Sequence, residues 1–128
     1  MSRIVLDASA MLALLNHESG AEKLTAELLS DAICSTVNLA EVQTKLVGVG
    51  SDPDDAWEDA ISPIRDAVPF TAEHARLAGG MVSHTRAFGL SLGDRACLAL
   101  GLALKAPVYT ADKSWKQLKL GVRIHVIR

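Results

Sequence analysis

Short apolar runs alternate along this chain with longer stretches in which apolar residues return every third or fourth position. The runs at 3–6 (RIVL), 32–35 (AICS), 67–70 (AVPF), 107–110 (PVYT) and 122–127 (VRIHVI) read as strands. Pro69 cannot donate to a ladder, which moves the third run toward a sheet edge or a strand end. Between them the helical period predicts 8–16, ending near His17, and 20–30, capped by Ser19 with Leu24, Leu28 and Leu29 on one face. A helix at 38–48 places Leu39, Val42 and Leu46 together. Asp52 caps the next, with Pro53 in its first position and acids in its first turn, and Pro63 kinks or ends it. Thr71 starts a long helix with Ala72, Ala75, Leu77 and Ala78 turned inward, loosened at Gly79-Gly80. Residues 92–104 are apolar nearly all round from Ala96 onward, the mark of a central buried helix, and 113–119 form a short one. The order βαα-βαα-βαα-βα-β, with no linker, repeat or low-complexity tract, predicts a parallel α/β sandwich in one domain, 1–128.

On that frame four acids take special positions. Asp7 (IVLDAS), Glu41 (STVNLAEV), Asp94 (LSLGDRACLAL) and Asp112 (VYTADKSW) each sit where an apolar stretch gives way to a helix start. In a parallel sheet, such junctions line the edge where sites form. Carboxylates gathered there repel one another unless a cation joins them, so the pattern points to Mg²⁺ or Mn²⁺ and to phosphodiester hydrolysis.

Each acid also has a structural reading. Asp7 is a good N-cap. Glu41 follows Asn38, and Asp94 follows Ser91, at capping-box spacing. Asp112 precedes a short helix. Asp94, however, opens the most apolar helix of the chain, where an unpartnered carboxylate costs several kcal/mol, of order 3–5, in desolvation. Arg95 is adjacent but points elsewhere on a helix, so metal is the better partner. Thr110 is placed to orient a carboxylate or a metal-bound water.

Composition narrows the chemistry. Aromatic residues are 4% of the chain, which excludes a base-stacking sheet of aromatics. Cys34 and Cys97 lie in apolar runs and read as buried hydrophobes of a reducing, cytoplasmic compartment. His17, His74, His84 and His125 form no zinc-type pair. The longest apolar run falls short of a membrane span. A net charge of −2 disfavours a nucleic-acid partner, but neutralising the four acids would leave a positive remainder, with Arg86, Arg95, Lys113 and Lys116 flanking them as RNA-contact candidates.

At these residues the chain resembles the PIN-domain ribonucleases, and within them the VapC-type toxins of bacterial toxin–antitoxin pairs. The resemblance rests on IVLDAS, Glu41 in NLAEV, SLGDRACLAL around Asp94 and YTAD at 109–112, and it spans nearly the whole chain. It implies a PIN-like three-layer α/β/α sandwich with a mainly parallel sheet of four to five strands. It implies further that Asp7, Glu41, Asp94 and Asp112 bind one or two Mg²⁺ or Mn²⁺ ions that activate water against an RNA phosphodiester. Ser9 and Thr110 match the family's supporting hydroxyls. Some relatives carry one more acid after the last motif; Lys113, Ser114, Trp115 and Lys116 stand there instead, which leaves the number of ions open. The resemblance also implies a homodimer and a cognate antitoxin laid over the active-site groove; helices 8–16, 20–30 and 38–48, which carry surplus Leu and Val, are the candidates for its walls, the alternative being that those residues are simply core.

Rival readings divide on single positions. A HAD-type phosphatase needs a second acid two residues after the first, where Ser9 stands. A receiver needs an acceptor Asp after the third strand, where Pro69-Phe70-Thr71 stands. A housekeeping RNA-processing nuclease and a non-catalytic module whose acids only cap helices are the alternatives left.

Overall fold

The computed structural model describes residues 2–128. The chain enters through strand β1 (Ile4–Leu6) and helix α1 (Ala8–Leu15), then a 3₁₀ turn (Ala21–Lys23) and the one-turn helix α2 (Ala26–Leu29). Strand β2 (Ala32–Ser35) leads into α3 (Thr36–Gly48) and α4 (Pro53–Ile61), and β3 (Asp66–Val68) into α5 (Ala72–Gly80), α6 (Val82–Thr85) and a 3₁₀ turn (Arg86–Phe88). Helix α7 (Leu92–Leu104), β4 (Val108–Thr110), a last 3₁₀ turn (Lys113–Gln117) and β5 (Ile124–Val126) complete it.

The strands form one five-stranded sheet in the order β3-β2-β1-β4-β5, every neighbour parallel. Successive strand residues point to opposite faces, so β1 and β2 divide their side chains between two cores. Ile4, Leu6, Ala32 and Cys34 pack with Ala10, Met11, Leu39, Val42 and Ala60 of α1, α3 and α4. Val5, Ile33 and Val108 pack on the other face with Ala78, Cys97, Leu98, Leu100 and Trp115. Helices thus cover both faces, which is the expected three-layer α/β/α sandwich. Truncating a fully enclosed side chain such as Leu98 or Leu100 to Ala would cost about 2–5 kcal/mol. Among the described residues no helix is long and apolar enough to cross a membrane.

Differences from the sequence expectation have local causes. The helix expected at 20–30 is broken: Thr25 accepts from the Leu28 amide (3.2 Å) and starts α2 afresh, leaving only a 3₁₀ turn before it. Helix α3 begins at Thr36 rather than Asn38, because Ser35 is the cap and accepts from the Val37 amide (3.2 Å). The cap at Thr71 fixes the phase of α5 so that His74 and Ala78, one turn apart, face inward; Ala72 and Ala75 are exposed. Strand β3 ends at Val68, just before Pro69, and is an edge of the sheet.

Candidate active site

The strand order reverses between β1 and β4: from β1 the chain builds outward through β2 and β3, then returns to the other side. The crevice beyond the carboxyl ends of these two strands is where open α/β sheets form sites. Asp7 follows β1 and Asp112 follows β4. Glu41 lies in the second turn of α3, the helix that leaves β2. Asp94 reaches the same end because α7 runs antiparallel to the strands: its C-terminus feeds β4 at one edge, so its N-terminus lies at the other. All four carboxylates line one cavity of about 180 Å³, together with Ser9, Leu12 and Lys45.

Asp7 is the buried member, 3% exposed. Its Oδ1 accepts from the Ala10 amide (2.8 Å) and its Oδ2 from the Thr110 hydroxyl (2.6 Å), while Ser9 Oγ lies 2.8 and 2.9 Å from the two oxygens. Ser9 in turn accepts from the Ala111 amide (2.9 Å), and Thr110 from the Asp112 amide (3.0 Å). Two hydroxyls therefore tie Asp7 to the loop that carries Asp112. Burial pushes the Asp7 carboxyl up to about 6 against these hydrogen bonds, and the charge of Asp94 adds to the rise.

The other three acids are each held by one oxygen. Glu41 Oε1 accepts from Asn38 Nδ2 (2.8 Å), and the same amide group donates to the Gly93 carbonyl (2.9 Å). Asp94 and Ser91 form a reciprocal capping box, with bonds of 3.0 and 3.1 Å. Asp112 Oδ1 accepts from the Ser114 amide (2.9 Å) and hydroxyl (2.7 Å). As placed, no group of three or more His, Cys, Asp or Glu among the described residues closes around a common ion position. The set still fits a hard divalent cation in kind. Its donors are all carboxylate oxygens, and a cation beside Asp7 would favour the ionised form that burial opposes. The cavity has room for an ion and a few waters, each claiming roughly 30 Å³.

A larger depression of about 740 Å³ opens at the opposite edge of the sheet, beside Arg3, Asp31, Lys105 and Arg123. It gathers three cations and a single acid, no set of oxygen donors for a cation, so the smaller acidic cavity is the candidate metal-binding site. Cys34 and Cys97 are fully buried, and burial, with the charge of Asp7 next, pushes both thiols well up, so neither supplies a thiolate.

A family model described as the PIN domain matches residues 4–120. The chain belongs to the PIN-domain family. No curated protein matches it in sequence. Among solved structures it is similar to VapC20 of Mycobacterium tuberculosis, described as a sarcin–ricin loop cleaving toxin, at 21% identity and a TM-score of 0.73, with 94% of this chain and 98% of that one covered. The DNA-bound VapBC of Salmonella typhimurium gives 16% identity and a TM-score of 0.74 over 100% of both chains. FitAcB of Neisseria gonorrhoeae gives 17% and 0.68, covering 94% and 95%.

In this PIN domain the four flanking cations are placed less closely than the acids. Arg86, Arg95, Lys113 and Lys116 do not line the acidic cavity, and Arg95 Nη1 donates to the Ala78 carbonyl (2.9 Å), fastening α7 to α5. Three residues at the site were not singled out for it by sequence. Asn38, 1% exposed, was legible only as a cap, and it is a bracket between Glu41 and α7. Gly93 leaves the space that the Glu41 carboxylate occupies: a Cβ built there would collide with it. Lys45 stands one turn after Glu41, a spacing that puts two side chains on one helix face and was the signal available.

Proposed function

We propose that this PIN domain is a metal-dependent endoribonuclease and the toxin of a toxin–antitoxin pair. The observation that carries this is the convergence of four acids, from four separate segments, on one cavity at the switch point of a PIN fold. Asp7, Glu41, Asp94 and Asp112 would hold a Mg²⁺ or Mn²⁺ ion, which when bound supplies an acidified water and offsets charge on the phosphoryl oxygens. The remaining work belongs to the chain itself. Ser9 and Thr110 hold both oxygens of Asp7, Asn38 fixes one oxygen of Glu41, and Ser91 and Ser114 fix one each of Asp94 and Asp112. One oxygen of each of the last three acids keeps no hydrogen bond among the described residues and is free to turn toward the cavity.

The antitoxin reading draws support from a groove of about 410 Å³ that shares Ser9, Leu12 and Lys45 with the acidic cavity and continues past Asn16, Leu46 and Val49. Val49 is 83% exposed there. Several similar structures are complexes of toxin with antitoxin, Klebsiella pneumoniae among their sources. A homodimer in the cytoplasm belongs to the same proposal, and a monomer by light scattering at micromolar concentration would remove the dimer.

One observation favours a non-catalytic module: Asp7, Asp94 and Asp112 all accept cap bonds, and no three acids close on an ion position. One experiment separates the two. Purified protein and Asp94→Asn are incubated with total RNA, in Mg²⁺ or Mn²⁺ and in EDTA, and the melting temperature is followed alongside. The nuclease reading expects discrete metal-dependent fragments, a loss of at least about 100-fold in the variant, and a Mn²⁺-induced rise in melting temperature. Intact RNA and an unmoved melting temperature would establish the module.

A further inference from the structure

The acidic cavity has one cation in its wall. Lys45 lies on α3 one turn beyond Glu41, and among the described residues it is the only Lys or Arg lining that cavity. It also lines the groove that continues past Leu46 and Val49, and a shallow depression beside Val37, Ala40 and Thr44. Its side chain therefore stands where three openings meet.

The ordinary role for a lysine four residues after a glutamate is a surface helix ion pair worth about 0.3–0.5 kcal/mol. That pair is not made. The Glu41 carboxylate is turned to Asn38 and lies against Gly93. Among the described residues Lys45 has no carboxylate within 4.0 Å and no hydrogen bond. It is exposed, so its position is not imposed by packing. In this conformation its ammonium pairs with none of the four acids nearby.

A polyanion entering this cavity meets four carboxylates, and a single divalent ion offsets only part of their charge. Attraction has to come from the rim. The four cations flanking the acids in sequence lie outside the cavity wall, and Arg95 is engaged with Ala78. Resting on the nuclease reading above, we propose that Lys45 is a substrate-binding residue whose ammonium takes a non-bridging oxygen of the RNA phosphate next to the scissile one. That contact directs the strand out of the acidic cavity along the Leu46–Val49 groove. Lysine suits such a task as a compact, rotatable point charge without the fixed geometry of a guanidinium.

The test uses a 5′-labelled RNA oligonucleotide spanning a site mapped in total RNA. Initial rates in Mn²⁺ are compared for the wild type, Lys45→Gln and Lys45→Arg over a salt series. Binding of the same oligonucleotide is read by anisotropy in the Asp94→Asn background, with and without Lys45→Gln. Lys45→Gln is expected to raise KM and Kd about tenfold with kcat within about twofold. The slope of log affinity against log salt should fall by about 0.7, one phosphate contact on a single strand. Lys45→Arg should recover most of the loss. An active wild type with unchanged KM and Kd in Lys45→Gln overturns the assignment alone. So does a lowered Mn²⁺ requirement at constant KM, which would make Lys45 a counter-ion of the acids. A wild type inert toward RNA overturns the nuclease reading, and this contact with it.

Discussion

Helix α7 carries two glycines, one in its first turn and one near its end, and they are needed for different reasons. At Gly101 a Cβ would come within 2.6 Å of Val108 Cγ2 and 3.0 Å of Val122 Cγ2, so this end of the helix is pressed onto β4 by packing. At Gly93 the obstacle is the tip of the Glu41 side chain. The Gly101 end is an apolar interface in which every atom contributes to stability. The Gly93 end is a place where carboxylates are brought together at a cost, with Asp7 buried and its pKa raised. One helix therefore spans a stabilising region and a destabilised one, the division expected when a rigid scaffold holds a preorganised polar site.

The largest test of that contrast is the cost of ionising Asp7. Its carboxyl is raised from 3.8 to about 6 in the folded protein, chiefly by burial. The folded state therefore holds a proton that the unfolded chain has released between those values. Stability from this group is fully present below pH 3.8 and is lost as pH rises through about 6. The loss is about 3 kcal/mol. In EDTA, urea unfolding of the wild type should show this decline between pH 4 and 7, and Asp7→Asn should lack it. Mn²⁺ should restore more stability at pH 7 than at pH 5, since a ligating carboxylate must first lose its proton. Parallel pH profiles for wild type and Asp7→Asn would show that the acidic end carries no such cost.

Next in size is Gly101→Ala. Overpacking against Val108 and Val122 costs about 1–3 kcal/mol, and the gain in helix propensity returns up to about 1. A net loss of about 1–2 kcal/mol is expected, with the metal response of the folded protein unchanged. A variant as stable as wild type would mean that α7 can lift from the sheet at this end.

The layered fold could be read from the chain because burial period and capping are local. RIVL and AICS point alternate residues at two cores, Asp52-Pro53 and Ser91 sit at real helix starts, and the all-round apolar run after Ala96 is the buried helix. The break at Thr25 was hidden because a threonine inside a helical period looks the same whether its hydroxyl points to solvent or captures an amide. At the candidate site, Asp7, Asp94 and Asp112 are legible because each sits at a helix start, whereas Glu41 lies in the second turn of α3 and joins them through the fold. Asn38 is not legible in this way, since a capping box and a bracket to a distant helix share the same spacing, and only the tertiary contact with the Gly93 carbonyl separates them. Lys45 lines the cavity while the cations flanking the acids in sequence do not, because the fold, not the chain, assembles the cavity.

Gly93→Ala has the smallest expected effect on stability and the most direct bearing on the contrast between the two ends. The atoms nearest the new methyl are the end of a flexible side chain, which can swing aside. The helix gains up to about 1 kcal/mol from replacing glycine, so unfolding should show a protein at least as stable as the wild type. The displaced group, however, is the Glu41 carboxylate, which Asn38 holds at the cavity wall. The Mn²⁺-induced rise in melting temperature should shrink and RNA cleavage should fall by about tenfold or more. Gly101→Ala and Gly93→Ala would then form a reciprocal pair on one helix, the first less stable with its metal response intact, the second stable with its metal response lost. If Gly93→Ala instead keeps full metal response, Glu41 has no fixed position to lose, and its bond to Asn38 is only a link between α3 and α7.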